Sequence, residues 1–438
     1  CLPGEARPGL GRLPVLLLIV DGGTDHTSKA PISDIAAGQA TLTAMTFMTN
    51  RTRAAVLGLA AVLSFGTLVA PQAAAAPSPA LPGPAVPQPP GYTIKGYSVG
   101  VGDERGGNYR GAIDPQTGDL WMTQVEPMSG ATRSNLLRID PNTMAVKQRF
   151  DVIEPANTGG HGKYGVQYEI NVPKTGNVVW TTAAAANGGE ANVWDKTTGK
   201  RVVRLTNLPH AHWVEFAEGI RVAIISITNG LAFYDMDTYA RLGEWTFPSS
   251  GKKLGAGFAV TNADANGATI SLTSYYRDLS QLRITRSGGK VATKLNWTTR
   301  QTTAEGHGSV AADTRTNRLY VNNLMTPVAG LSVYDLTTGK HITDVNTGIG
   351  TNSMLIFGGK LYVANYFLGF ISVIDQKTFA IQQLMTTGLL PNHLVAWKKN
   401  TFLVIDKNSA VSELPTSMMG MKLPPLASGD YVFKVTKH

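Results

Sequence analysis

Residues 361–394 read LYVANYFLGFISVIDQKTFAIQQLMTTGLLPNHL, which is a run of three short apolar strands separated by turns and followed by a Gly/Pro linker. Its centre is an apolar segment that ends in Asp and leads into a polar turn, and this pattern recurs along most of the chain. The copies are LRID (137–140), VWD (193–195), FYD (233–235), VYD (333–335) and VID (373–375), with a degenerate copy in LRIT (282–285).

The copies end at residues 140, 195, 235, 285, 335 and 375, so the period is 40 to 55 residues. A period of this size built from short strands is typical of the blades of a β-propeller. The repeated Asp residues are expected to be turn residues that accept backbone N–H bonds. We therefore predict an all-β fold, a β-propeller whose blades are four-stranded antiparallel sheets.

Seven linkers lead into candidate inner strands, which predicts seven blades. In the last blade, TFLVID (401–406) and YVFKV (431–435) supply a second and a third strand, and the N-terminal YTIKGYSV (92–99) is expected to supply the fourth. Joining the two ends in this way removes an exposed sheet edge. Eight blades are the alternative, because the third and fourth repeats are faint. The inner strands are predicted to begin near Tyr109, Gly165, His212, Gly257, Gly308, Asn352 and Asn392.

The segments LYVAN (361–365) and ISVID (371–375) match the YVTN-type repeat almost position for position. The chain resembles the secreted, YncE-like family of seven-bladed YVTN-repeat propellers, whose blades are WD40-like. The resemblance covers roughly residues 92–438. It implies a scaffold and does not imply one activity, because propellers carry many unrelated functions.

The first 91 residues divide into three parts. Residues 48–76 place Arg51 and Arg53 before an apolar run of about 16 residues and an Ala-rich stretch, which is the pattern of a secretory signal peptide. Residues 1–47 show no repeat and are interpreted as an upstream or non-native extension. Residues 77–91 are Pro-rich and free of charge, so we predict an extended linker to the propeller at 92–438. The mature protein is expected to be extracytoplasmic and monomeric, without a membrane span.

Composition excludes some kinds of chemistry. The only cysteine is Cys1, outside the repeats, so the propeller has no residue for thiol catalysis or for a Cys-based zinc site. The net charge of +9 favours soft association with anionic polymers. The densest basic segments are pairs such as Lys252-Lys253 and Lys398-Lys399, which do not form a cluster.

The linkers that enter the inner strands all lie on one face of a propeller and converge on its channel, so their polar residues are expected to meet there. Glu305, His307 and His212 are the candidate ligands if a divalent cation is bound. The Gly-His-Gly segments at 160–162 and 306–308 are alternatively loop struts that hold an imidazole against a backbone carbonyl. The candidate ligand-binding residues at the channel mouth are Arg110, His161, His210, His212, Glu305, His307, Asn352 and His393.

Three functions are compatible with this pattern. The sequence contains no complete catalytic set, which favours a secreted, non-catalytic binding or scaffold protein that presents the channel mouth to a small molecule, a peptide or an anionic polymer. The first alternative is a lactonase or lyase assisted by a divalent metal, with Glu305 as a ligand and His307 or His212 as the base. The second is weak nucleic-acid binding, for which Tyr275-Tyr276-Arg277 is the main aromatic and basic cluster.

Overall fold

The computed structural model describes residues 79–99, 107–125, 133–153, 167–183, 188–248, 254–301, 306–324, 330–388, 390–407 and 430–438. These residues form seven antiparallel sheets and one short 3-10 turn, Glu218–Ile220. The chain is therefore an all-β, seven-bladed β-propeller, and the eight-bladed alternative is wrong. The predicted extension at 1–47 and the signal peptide at 48–76 lie outside the described residues. Within the described ranges, no helix is long and apolar enough to cross a membrane.

Each of blades one to three contains four strands that are consecutive in sequence and are ordered from the channel outward. Their strands are β3 (Gly107–Ile113), β4 (Leu120–Val125), β5 (Arg133–Asp140) and β6 (Ala145–Ile153); β7 (Gln167–Asn171), β8 (Val178–Ala183), β9 (Glu190–Asp195) and β10 (Arg201–Leu205); and β11 (Val214–Ala217), β12 (Val222–Ile227), β13 (Gly230–Asp235) and β14 (Arg241–Thr246).

Blades four to six repeat this order. Their strands are β15 (Gly255–Asp264), β16 (Gly267–Ser274), β17 (Asp278–Ser287) and β18 (Lys290–Arg300); β19 (His307–Asp313), β20 (Arg318–Asn323), β21 (Leu331–Asp335) and β22 (His341–Val345); and β23 (Thr351–Phe357), β24 (Lys360–Asn365), β25 (Phe370–Asp375) and β26 (Ile381–Thr386).

The seventh blade joins the two ends of the propeller, as the sequence predicts. It orders β27 (Pro391–Lys398), β28 (Thr401–Asp406) and β29 (Tyr431–Lys437) from the channel outward, followed by the N-terminal β2 (Tyr92–Ser98). β2 pairs with β29 over its full length, from Tyr92 opposite Lys437 to Ser98 opposite Tyr431. All seven inner strands begin within two residues of the predicted positions.

The Pro-rich segment makes contacts that the sequence analysis did not predict. Its short β1 (Leu81–Pro82) pairs with the outer edge of β2. The Gln88 side chain accepts a hydrogen bond from the Ile94 N–H at 2.7 Å and donates one to the Ile94 carbonyl at 3.0 Å. Its amide group therefore makes the two hydrogen bonds that the backbone of a neighbouring strand would make. Val86 packs on the hydrophobic cluster between blades six and seven. The described part of the segment thus covers the outer edge of the closing blade.

The hydrophobic core is divided among the interfaces between neighbouring blades. Trp180 of blade two packs with Ile225 and Tyr234 of blade three, for example. The closing interface holds Leu120 of blade one against Leu403 and Ile405 of blade seven. In the described residues, each of the seven blade interfaces has a cluster of this kind. Closure of the ring is therefore needed to bury the apolar faces of the first and last blades.

The repeated Asp residues are turn residues, which confirms that prediction. Asp335 Oδ1 accepts the backbone N–H groups of Thr337 and Thr338 at 3.1 and 2.9 Å. The turn continues to Gly339, whose φ of +69° is a left-handed conformation that favours glycine. A Cβ on Gly339 would lie 2.6 Å from the Trp297 ring of the preceding blade. The glycine of the Thr-Thr-Gly turn is therefore required both by its left-handed backbone conformation and by its close contact with the neighbouring blade.

Replacing this glycine tests that contact. Gly339→Ala is expected to destabilise the protein by about 1–2 kcal/mol from left-handed strain and by about 1–3 kcal/mol more from the collision with Trp297. The matched control is Gly359→Ala, where φ is +76° and the space is open, so only the strain is expected. Denaturant unfolding of both variants measures the difference. Equal losses of stability would contradict a role for the Trp297 contact.

Candidate functional site

The structure describes five of the eight predicted channel-mouth residues, Arg110, His210, His212, Asn352 and His393. His161 and Glu305 lie outside the described residues, and of His307 only the backbone, at the start of β19, is described. The proposed metal set of Glu305, His307 and His212 therefore stays a prediction. Among the described residues, no group of three or more His, Cys, Asp or Glu side chains is placed to hold a metal ion.

Arg110 is the centre of the arrangement. It lies on β3, the inner strand of blade one, and only 2% of the residue is exposed. Its Nη1 donates to the Asn392 carbonyl of blade seven at 3.4 Å, and its Nε lies 3.7 Å from Glu169 Oε2 of blade two. Its Cζ lies 4.7 Å from the centre of the ring of Trp213, a residue at the end of the linker that leads into blade three. Because these neighbours come from three other blades, the Arg110 side chain lies across the channel.

The polar groups of this side chain are incompletely satisfied. A guanidinium has five N–H donors, and Nε of Arg110 has no hydrogen-bond partner among the residues that the structure describes. Glu169 Oε2 also has none, because 3.7 Å is an ionic contact and too long for a hydrogen bond. Buried polar atoms are normally hydrogen-bonded, to protein or to water. The Arg110–Glu169 pair is therefore close enough for attraction, while each of these two buried atoms lacks a hydrogen bond.

Two carboxyl groups have raised pKa values: Glu169, which faces Arg110, and Glu215, which lies near Glu169. Burial raises the pKa of Glu169 to about 7, and the charge of Arg110 offsets part of that effect. Burial, followed by repulsion from Glu169, also raises the pKa of Glu215 to about 7, although a hydrogen bond from Asn171 opposes the change. Both groups therefore titrate near neutral pH, far above the usual range of a glutamate.

The imidazoles of the linker into blade three are neutral at physiological pH. Burial, with the nearby His210 and Arg110, lowers the pKa of His212 to about 3. Burial also lowers the pKa of His210. The His212 ring stacks on Trp213 with centroids 5.4 Å apart, and its Nδ1 has no hydrogen-bond partner. His212 thus supplies a neutral polar edge beside the Trp213 ring.

His393, on β27, forms a hydrogen bond between two blades. Its Nδ1 accepts the Gly111 N–H of blade one at 3.2 Å, so in the neutral ring the proton is on Nε2. Burial, followed by the charge of Arg110, holds the pKa of His393 well below its usual range. His393 therefore joins blades seven and one, and its Nε2–H remains as a donor.

Asn352 belongs to the same network. Its Nδ2 donates to Asn392 Oδ1 at 2.7 Å, and Asn392 Nδ2 donates to the Tyr109 carbonyl, so these amides link blades six, seven and one in series. Other blade junctions near the channel have the same kind of bond, from one side chain to the backbone of the next inner strand. These bonds are Thr123 to Tyr168, Thr182 to His212, Asn171 to Val214 and Asn322 to Thr351.

A second carboxyl pair lies where blades seven and one meet. Asp430 accepts the Asn108 N–H at the start of β3, and Asp406 Oδ2 accepts the Leu390 N–H at 3.3 Å. Burial, followed by repulsion from Asp430, raises the pKa of Asp406 well above its usual range. The described contacts of this pair are with backbone amides, so it fixes the path of the chain at the closing junction.

The sequence analysis missed Glu169, Glu215 and Trp213 as channel residues. The two glutamates lie inside inner strands rather than in linkers, and the available signal was a lone acid in each of the short strands QYEIN (167–171) and VEFA (214–217). Trp213 packs against the cluster between blades three and four, and its ring also contacts the Arg110 guanidinium.

The proposed nucleic-acid cluster is partly used within the protein. The Tyr275 and Tyr276 rings pack edge to face with centroids 5.3 Å apart. Arg277 Nε donates to the Gln301 carbonyl at 3.1 Å. The cluster is therefore a short ordered turn after β16, and nucleic-acid binding there stays a prediction.

Comparison with known proteins supports the fold. No family model matches the sequence, and no curated protein matches it. The structure is similar to the β-propeller domain of Cps50 (Swd1) from Myceliophteria thermophila, with a TM-score of 0.51, 9% identity and coverage of 78% of this chain and 98% of that one. It is also similar to BamB from Moraxella catarrhalis, with a TM-score of 0.50, 11% identity and coverage of 82% and 99%. A third similar structure is hydrazine synthase from Kuenenia stuttgartiensis, with a TM-score of 0.52, 11% identity and coverage of 71% and 96%. At these identities the likeness shows a propeller and nothing finer.

The raised pKa of Glu215 predicts a specific pH dependence. A folded-state pKa above the unfolded value means that stability is highest below pH 4.5 and falls as the pH rises through 7. Glu215→Gln removes this loss, so the variant is expected to gain about 1–2 kcal/mol over the unchanged protein between pH 5 and 8. This is less than the free energy of the full pKa shift, because the Glu215 residue is only partly buried. Denaturant midpoints at several pH values measure the gain.

The control for this experiment is Glu244→Gln, on the outer strand β14, where the carboxylate pairs with exposed Arg241 at 2.6 Å. The difference in stability between Glu244→Gln and the unchanged protein is not expected to rise with pH. A flat profile for Glu215→Gln as well would mean that the Glu215 carboxylate ionises freely in solvent.

Proposed function

We propose that this chain is a secreted, extracytoplasmic binding protein whose channel, at the face where the linkers enter the inner strands, binds a ligand without catalysing a reaction. The ligand classes are a small molecule, a peptide or an anionic polymer. The propeller supports a binding or scaffold role, because its rigid blades hold residues from distant parts of the sequence around one channel. Membership of the YncE-like YVTN family is part of this proposal and is supported by the LYVAN and ISVID segments.

One observation carries the proposal. Arg110 is a buried cation that contacts blades seven, two and three and still has an unpartnered N–H donor. Removing a charge from water is costly unless the charge is paired and hydrogen-bonded. A cation kept in this condition at the crossing point of four blades is more easily explained by a bound partner than by stability alone. Ligand sites typically combine aromatic walls with a few polar groups, which Trp213, His212 and Glu169 provide here.

The proposal is tested with the full chain and a panel that contains each ligand class. Thermal unfolding is followed with small organic acids and sugars, a mixed peptide library, and heparin as an anionic polymer. We expect at least one class to raise the melting temperature in a concentration-dependent way, because a ligand that binds only the folded state stabilises it. Arg110→Lys should weaken that stabilisation, since lysine lacks the planar guanidinium with its paired N–H donors.

The control is Arg241→Lys, on the exposed outer strand β14, which should leave ligand stabilisation unchanged. Stabilisation by none of the classes would contradict the proposal. Stabilisation that survives both substitutions would place binding elsewhere on the protein and would also contradict it.

Secretion is tested separately. If residues 48–76 are a signal peptide, the exported protein should begin near residue 76 or 77. Mass spectrometry of the intact protein from a secreting bacterial host reads the new N-terminus. Retention of the uncleaved chain in the cell would contradict secretion, while leaving the binding site to the test above.

A further inference from the structure

The guanidinium of Arg110 is held in one orientation. Its Cζ lies over the Trp213 ring, 4.7 Å from the ring centre, and Nη1 donates to the Asn392 carbonyl. Stacking of this kind suits arginine, because its charge is delocalised over a flat group. A fixed guanidinium loses little further freedom when it binds a ligand, and such preorganisation favours affinity. The edge that carries the unpartnered Nε is therefore an oriented donor, which is buried in this structure.

The charges around this edge define the ligand. Among the described residues that interact electrostatically with Arg110, His212 and His393 are neutral at physiological pH and Glu169 is an acid. Lys407 Nζ lies 5.0 Å from the Tyr109 ring. A dianion such as phosphate would meet the Glu169 carboxyl group directly beside the Arg110 charge. A single carboxylate is matched by one guanidinium, because the two parallel N–H donors of arginine fit its two oxygens.

The neighbouring side chains indicate that the rest of the ligand is organic. Trp213 and His212 are stacked beside the guanidinium, and the Tyr109 and Tyr168 rings lie 4.9 Å apart on the adjacent inner strands. Tyr109 also lies 5.7 Å from Arg110 Cζ. Aromatic walls around one charged anchor are a common arrangement for binding small organic molecules.

Glu169 is the internal competitor for the same donor. Its Oε2 lies 3.7 Å from Nε, which gives attraction without a hydrogen bond, and this oxygen has no other partner. A ligand carboxylate that hydrogen-bonds to Nε would replace this long contact with a shorter one. Removing the negative charge at position 169 should therefore strengthen ligand binding, whereas a purely structural ion pair would give no such effect.

We propose that the channel is a binding site for a small organic monocarboxylate, which Arg110 holds by its guanidinium edge against Trp213, with Glu169 competing for the same edge. This inference rests on the proposed function and narrows its ligand class. It also assigns Glu169 as a residue that sets affinity.

The test compares carboxylates with neutral molecules of the same shape. Saturation-transfer NMR on the full chain is measured with acetate against acetamide and with benzoate against benzamide, and with inorganic phosphate as a dianion. We expect the carboxylates to bind better than their amides and better than phosphate. Arg110→Lys should weaken carboxylate binding by about tenfold, as expected for loss of a bidentate contact. Glu169→Gln should tighten it by about fivefold, because the competing charge is removed.

Two controls keep the result interpretable. Arg241→Lys should bind like the unchanged protein, and circular dichroism should show that Glu169→Gln is folded, so that a gain in affinity cannot come from unfolding. The opposite signs expected for Arg110→Lys and Glu169→Gln cannot arise from general destabilisation.

Three results would overturn the inference: equal binding of acids and amides, stronger binding of phosphate, or no change in Glu169→Gln. If any of these occurs while a peptide or heparin still stabilises the chain in an Arg110-dependent way, the proposed function stands and only the ligand class is wrong. If no ligand of any class binds, both are wrong.

Discussion

Closure of the ring by a blade made from both ends of the propeller is the constraint on which the rest of the structure depends. β2 pairs with β29 over seven residues, and the interface between blades seven and one then buries Leu120 against Leu403 and Ile405. Without that closure, blades one and seven would each expose an apolar face, and the outer edge of β29 would be unpaired. The closing contacts also reach the channel, where Asp430 of the last blade accepts the Asn108 N–H of the first.

The channel site is a consequence of this geometry. Arg110 belongs to blade one, but its partners belong to blades seven, two and three, so they meet only in a closed ring. Hydrogen bonds between neighbouring blades, such as Asn352 to Asn392 and Thr182 to the His212 carbonyl, link the blades around the channel. These bonds help to hold Glu169, His212 and His393 close to Arg110, and burial displaces the pKa of each of these three residues.

The sequence predicted the fold in more detail than the site. The Asp-turn repeat gave the seven blades and the start of each inner strand within two residues, because turns and strand lengths are local properties. The repeat also predicted that Arg110, His212, Asn352 and His393 lie at one face of the propeller, because the order of the strands places all linkers into inner strands on the same side. It did not reveal Glu169, Glu215 or the stacking of Trp213 on Arg110, since contacts across a channel depend on the register of strands that are far apart in sequence. Nor did it reveal that the Gln88 side chain would take the place of a strand, because a side-chain amide that mimics backbone has no periodic signature.

The proposed site requires that a ligand carboxylate reach the Arg110 edge, where it displaces Glu169. A crystal structure of the full chain grown with acetate should be compared with one grown without it. We expect a planar carboxylate within hydrogen-bond distance of Arg110 Nε, with the guanidinium still against the Trp213 ring. A direct, bidentate pair between Arg110 and Glu169 in both crystals, with no acetate at the guanidinium, would contradict it.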